Sequence, residues 1–255
     1  MLWYKAWLET RWRFLIGLVL LMCSAAGVVL VYPRVMQLLP LVPAADAGGE
    51  IGRRIREGAV LAREYRGYVW SQWFRQNLIQ LWTILAVLLG TGGLLSQVSG
   101  GAALFTLSMP ASRTRLLAIR AAAGLVELLA LAFVPSLLIP LLSPAVGESY
   151  GVGSAMIHSV SVFVAGAAFF SLAFLLSTMF SDVWRPLLIA LAMAAVLALC
   201  EQAVPGLSRY SIFRVMSAET YFRTGALPWS GLLVSAAVSM ALLYGAVVNM
   251  ARQDF

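Results

Sequence analysis

Six apolar runs separated by polar stretches organise this chain: Phe14–Tyr32, Asn77–Ser96, Ala121–Leu142, Ala155–Phe180, Leu187–Val204 and Trp229–Met250. Each approaches the ~20 residues that an α-helix needs to cross a bilayer. None alternates polar and apolar positions as a barrel strand does, and a backbone in lipid must satisfy its own hydrogen bonds. The runs therefore predict an all-α integral membrane protein, a single domain over 1–255 with six spans. The fifth run is the weakest, because its purely apolar stretch ends at Cys200 and leaves Glu201 and Gln202 for an interface.

The polar stretches carry their own patterns. In residues 1–13, Lys5, Glu9 and Arg13 fall within about 80° of one another, opposite Trp3, Trp7, Thr10 and Phe14. That predicts an amphipathic helix lying in the membrane interface. Residues 33–76 form an outer loop in which Pro33, Pro40 and Pro43 exclude an uninterrupted helix at the start. From Glu50 the pattern turns helical, with Glu50/Arg54 and Arg53/Glu57 at i,i+4. Tyr65, Tyr68, Trp70, Trp73 and Phe74 read as an aromatic belt at the outer interface, with a ligand-binding role as the alternative. The stretch 99–120, SGGAALFTLSMPASRTRLLAIR, joins the second and third runs. It has an apolar core from Ala102 to Met109, then Arg113, Arg115 and Arg120, and no acidic residue. A simple turn needs only a few polar residues with Gly or Pro. This one reads as a short helix with a basic exit, or as an ordinary basic loop.

Composition agrees with the hydropathy pattern. Charged residues make up 11% against about 25% in a soluble domain, and the mean hydropathy is +0.88. The net charge of +7 does not point to nucleic acid, since the arginines are spread over loops next to anionic headgroups. With the N-terminus inside, eight of the 18 basic residues lie on the cytoplasmic side, three of them before the first span, so both termini are read as cytoplasmic. Cys23 and Cys200 fall within spans and read as small buried apolar residues. Lys5 is the only lysine and is not part of a Gly-Lys-Ser/Thr loop, so no P-loop exists. A lone histidine, His158, offers neither a zinc site nor a Ser-His relay and reads as interfacial. No catalytic residue, metal site or cofactor of this chain is expected.

Within the spans, Ala190, Ala194 and Ala198, and Gly231, Ser235 and Ser239, form small-residue stripes suited to close helix packing. Pro135 and Pro140 should kink the third span. Asn77, Gln80, Thr83 and Thr91 share an arc of roughly 120° on the second span. They line a pathway or join two helices. Glu127 is the one acidic residue well inside a span, either functional or hydrogen-bonded to a neighbouring helix. Arg120 lies about 10 Å away along the axis, too far to pair with it directly.

Taken in order, these features resemble the permease subunit of type-2 ABC transporters along nearly the whole chain. WYKAWLETRWRF is similar to that family's elbow helix, and LLGTGGLLSQVSGGAALFTLSMPASRTRLLAIRAAAGLVELL to its coupling segment. The family's Leu-x-Met/Leu-Pro-x-Ser-Arg element falls on Leu107, Met109, Pro110, Ser112 and Arg113. Gln97 and Ser99 stand where many members carry an acidic residue. LSRYSIFRVMSAETYFRTGALPW resembles the outer segment before the last helix, a pair of short re-entrant helices within 205–228. Its conspicuous side chains are Arg209, Tyr210, Phe213, Arg214, Tyr221 and Phe222.

The resemblance implies an exporter permease in the inner membrane, working as a homodimer or with a sister permease. Cytosolic ABC ATPase subunits would bind ATP and Mg and receive Phe105, Leu107, Met109, Pro110, Ser112, Arg113 and Arg115. Two other readings stand beside it. One is a secondary transporter or channel using Glu127 and the polar face of the second span. The other is a non-transporting membrane anchor for a cytosolic partner.

Overall fold

The computed structural model describes residues 2–38, 58, 60–91, 113–203 and 211–252. Among them the elements are helices α1 (Leu2–Leu38), α2 (Tyr65–Val69), a π-helical stretch (Trp70–Asn77), α3 (Leu78–Gly90) and α4 (Arg113–Leu142). A 3-10 turn (Ser143–Val146) follows, then α5 (Val152–Ser177), α6 (Trp184–Ala203), α7 (Ile212–Met216), α8 (Glu219–Thr224) and α9 (Trp229–Ala251). No strand occurs among the described residues. Five helices are long and apolar enough to cross a membrane. The second predicted run is not among them: its α-helical part, α3, has 13 residues and continues a helical rod that begins at Tyr65, well before Asn77.

Three predicted boundaries move for identifiable reasons. The interfacial helix and first span are one helix, because nothing between Leu2 and Ile16 breaks it. Pro33 does not end that helix either, which runs on to Leu38. Its missing N–H removes one intrahelical bond, a loss that membrane helices tolerate when neighbours supply other partners. The third long helix starts at Arg113, since nothing after Pro110 interrupts its pattern. Arg113, Arg115 and Arg120 therefore sit in its first turns instead of a loop. It continues through Pro135 and Pro140 without ending.

α5 is the central and most buried long helix, packed against α3, α4, α6, α7 and α9. Small residues allow the close approach: a side chain at Gly166 would collide with the Trp82 ring, and one at Gly90 would lie 2.7 Å from the Phe170 carbonyl. Its buried hydroxyls stay satisfied by bonding back along the helix, Ser159 to the Ala155 carbonyl at 2.8 Å and Ser171 to that of Ala167 at 2.8 Å. On α6, Ala190 and Ala194 are buried and Ala198 is half-buried. On α9, Ser235 and Ser239 are buried and a Cβ at Gly231 would meet Val215, so both small-residue stripes face neighbouring helices. Large apolar side chains elsewhere point outward, among them Ile16 on α1, Leu188 and Leu199 on α6 and Leu233 on α9. So much exposed hydrocarbon suits a lipid surround. Cys23 and Cys200 are on this outward surface, not buried as expected.

Candidate functional site

Two assemblies stand out, one at each end of α1. The first surrounds the roots of the 92–112 segment, which lies outside the described residues together with Phe105, Leu107, Met109, Pro110 and Ser112. α3 ends at Gly90 with Thr91 extended beyond it, so its last carbonyls need outside donors. Arg13 of α1 supplies them: its Nη1 donates to the Leu88 carbonyl at 3.0 Å and to the Thr91 carbonyl at 3.1 Å. Thr91 Oγ1 also donates to Leu88 at 2.9 Å. On the other side of the segment, two turns into α4, Arg120 pairs with Glu9 of α1 at 2.9 Å. Two turns further along α4, Thr10 Oγ1 donates to Glu127 Oε1 at 2.5 Å.

Glu127 is thus hydrogen-bonded to a neighbouring helix, and that helix is α1. Its Oε2 is buried without a hydrogen-bond partner. The polar arc expected on the second span does not form one surface: Gln80 is exposed, Asn77 half-buried, and Thr83 and Thr91 buried. Arg115 is exposed on the first turns of α4. That helix has no acidic residue in its first turn, so the arginines sit where the helix dipole disfavours cations and an anionic neighbour is favoured.

The second assembly is aromatic. Tyr65, Tyr68, Trp70, Trp73 and Phe74 are all buried, so they are core and not an interfacial belt. The wide π-helical turn and α2 carry them inward, where Tyr32 of α1 packs on Tyr65 and Tyr68 at 4.8 and 5.0 Å between ring centroids. Every buried indole N–H here is satisfied. Trp70 donates to the Ser217 carbonyl at 3.1 Å, Trp73 to Ser136 Oγ at 3.4 Å, and Trp82 to the Leu128 carbonyl at 3.2 Å. His158 is likewise buried, stacked on Phe74 at 4.4 Å, with Nδ1 donating to the Ser217 carbonyl at 3.1 Å. It belongs to the buried aromatic core and is not an interfacial side chain. No group of three or more potential metal-binding residues occurs among the described residues.

The 205–228 stretch folds, over its described part, into α7 and α8; Arg209 and Tyr210 lie outside the described residues. Ser211 caps α7 by accepting from the Phe213 and Arg214 amides. Phe213 stacks on Phe169 at 5.6 Å and Phe222 on Trp70 at 4.2 Å, while Tyr221 meets His158 edge-on at 5.7 Å. Glu219 ties the two helices together, accepting from Arg214 Nε at 2.9 Å and Arg223 Nε at 2.7 Å. Burial alone would raise its carboxyl, but the hydrogen bonds and charges of Arg214 and Arg223 outweigh it and hold the carboxyl below its ordinary value.

Such a group stabilises the fold above its unfolded value, and that contribution disappears as pH falls through the lower folded value. Resistance to thermal unfolding in detergent is therefore expected to fall on acidification. Glu219→Gln should lower stability at neutral pH by about 1–2 kcal/mol, allowing for screening at the partly exposed arginines, and should flatten the acid limb. Parallel curves for the two proteins would remove this role from Glu219.

The fold and these assemblies define an α-helical, multi-pass membrane protein. No protein family, curated protein or solved structure matches the chain.

Proposed function

We propose that this chain is the membrane subunit of an ATP-driven exporter, similar to type-2 ABC permeases. In this reading it has six spans, counting the rod that ends at α3, and both termini face the cytoplasm. It acts as a homodimer or beside a sister permease in the inner membrane. ATP and Mg belong to separate ATPase subunits, and α7 and α8 are the re-entrant pair.

The observation that carries the proposal is the bracing of the two helices that flank 92–112. Arg13 holds the carbonyl end of α3, and Glu9 holds Arg120 on α4. A loop that merely reverses the chain needs no such bracing. A segment that receives force from another protein does, because slack at its roots would absorb the motion. The cationic first turns of α4 supply a docking surface for protein carboxylates or lipid phosphates.

Ion-coupled transport is the second reading, favoured by the buried, partnerless Oε2 of Glu127. The scattered exposure of Asn77, Gln80, Thr83 and Thr91 argues against a continuous polar path beside it. Affinity purification of the tagged chain, coexpressed with its natural partners, separates the two. The expected result is a soluble subunit that co-purifies and hydrolyses ATP faster when both are returned to lipid. Transport driven by an ion gradient with no ATPase bound would overturn the permease reading.

A further inference from the structure

We infer that Glu9, Thr10 and Arg13 are positioning residues that make α1 the rod carrying movement from the helices flanking the 92–112 segment to the aromatic layer at its other end. The described residues closest to that segment are Thr91 and Arg113. Barely more than one turn of α1 grips both flanking helices, through Arg13 to the Leu88 and Thr91 carbonyls and through Glu9 to Arg120. Thr10 adds a third tie at Glu127, where the carboxyl is buried and its other oxygen has no hydrogen-bond partner.

These ties resist partial loosening. Each spans 3.1 Å or less, and sliding α1 by a single residue moves it about 1.5 Å along its axis. Such a slide would weaken all three together and leave a carboxyl and helix-end carbonyls without partners in the low-dielectric bundle. α1 is also held close to α3 near this end, because a Cβ at Gly17 would lie 2.7 Å from Leu85.

The other end of the same helix is equally engaged. α1 is continuous from Leu2 to Leu38, and Tyr32 packs on both Tyr65 and Tyr68. From Arg13 to Tyr32 the helix covers about 28 Å at ~1.5 Å per residue. Those tyrosines open the helical rod that carries Trp70, whose ring stacks on Phe222 of α8. A displacement of α1 therefore reaches the layer that packs α7 and α8 without passing through the exposed face of α6.

This inference rests on the permease reading for the force it transmits, and the test keeps the two apart. Purified complexes in liposomes are assayed for transport per ATP hydrolysed, with ATPase capture measured in parallel. Glu9→Arg and Arg120→Glu should each lower that ratio at least about fivefold, within the usual range of inter-site coupling. The double exchange should restore much of it, with ATPase capture intact throughout.

Thr10→Ser, which keeps the donor hydroxyl, should couple normally where Thr10→Val does not, a contrast that survives if a charge reversal fails to insert. Normal coupling in the single reversals and in Thr10→Val would overturn the inference, as would a double exchange no better than the singles. If the wild-type chain captures no ATPase, the permease reading fails instead. The ties are then tested by hydrogen exchange: Arg13→Gln should speed exchange in 85–91, and unchanged protection there would overturn the positioning role.

Discussion

Replacing Trp70 by alanine is expected to destabilise the protein by about 3–5 kcal/mol, the range for emptying a fully buried aromatic site. The indole has no exposed surface and is shared by three elements. Its ring stacks on Phe222 of α8 at 4.2 Å, its N–H donates to the Ser217 carbonyl, and the Arg75 guanidinium lies over the ring at 5.5 Å from its centroid. Truncation would leave a cavity and release α7 and α8 from the π-helical stretch. Trp70→Phe keeps an aromatic ring but loses the N–H donor, so its cost should be nearer ~1 kcal/mol. Thermal unfolding in detergent micelles reads both variants. A Trp70→Ala protein within about 1 kcal/mol of wild type would show that this stack does not hold the aromatic layer together.

Much of the helical framework was legible because burial in lipid leaves a strong, local mark. The last apolar run, Trp229–Met250, differs from α9 by one residue at its end, and the alanine and serine stripes face inward as their spacing implied. The failures cluster where the same residue types serve two environments. Tyr65, Trp70 and Trp73 before an apolar run look alike whether they anchor at an interface or fill a core. Only the π-helical turn and the partners of each indole separate these cases. Arg113 and Arg115 looked like loop residues because charge is costly in a span. In the structure both fall in the first turns of α4, before its apolar body begins, and Arg115 is exposed there.

The candidate site was legible only in its parts. Glu127 was conspicuous, but its partner Thr10 is 117 residues away in sequence, and no periodicity links them. Glu9 and Arg13 were expected to face each other along one helix, yet both reach across to α4 and α3. One clue was present in the sequence: a helix ending just before a long basic segment needs donors for its last carbonyls. The first helix carries arginine on the face that can provide them.

The second large effect concerns Arg113 and Arg115, proposed above as docking residues. Arg113→Glu combined with Arg115→Glu reverses two charges at the start of α4 without touching the buried core. Acidic residues suit a helix N-terminus better than arginines do, by about 0.3–1 kcal/mol each, so insertion and folding should be preserved. What should fail is contact with the partner. A surface that met carboxylates or phosphates would now repel them, and like charges brought together at an interface cost several kcal/mol. Coupling of ATP hydrolysis to transport should therefore be lost while the chain still reaches the membrane in normal amounts.

Parallel proteoliposome assays of ATP hydrolysis and substrate movement, with wild-type and doubly reversed chains beside the same ATPase, test this most directly. Wild type is expected to transport in an ATP-dependent way, and the variant to hydrolyse ATP without transport or to bind no ATPase at all. Equal transport per ATP from both would contradict the role of this segment as the point where another subunit's energy enters the chain.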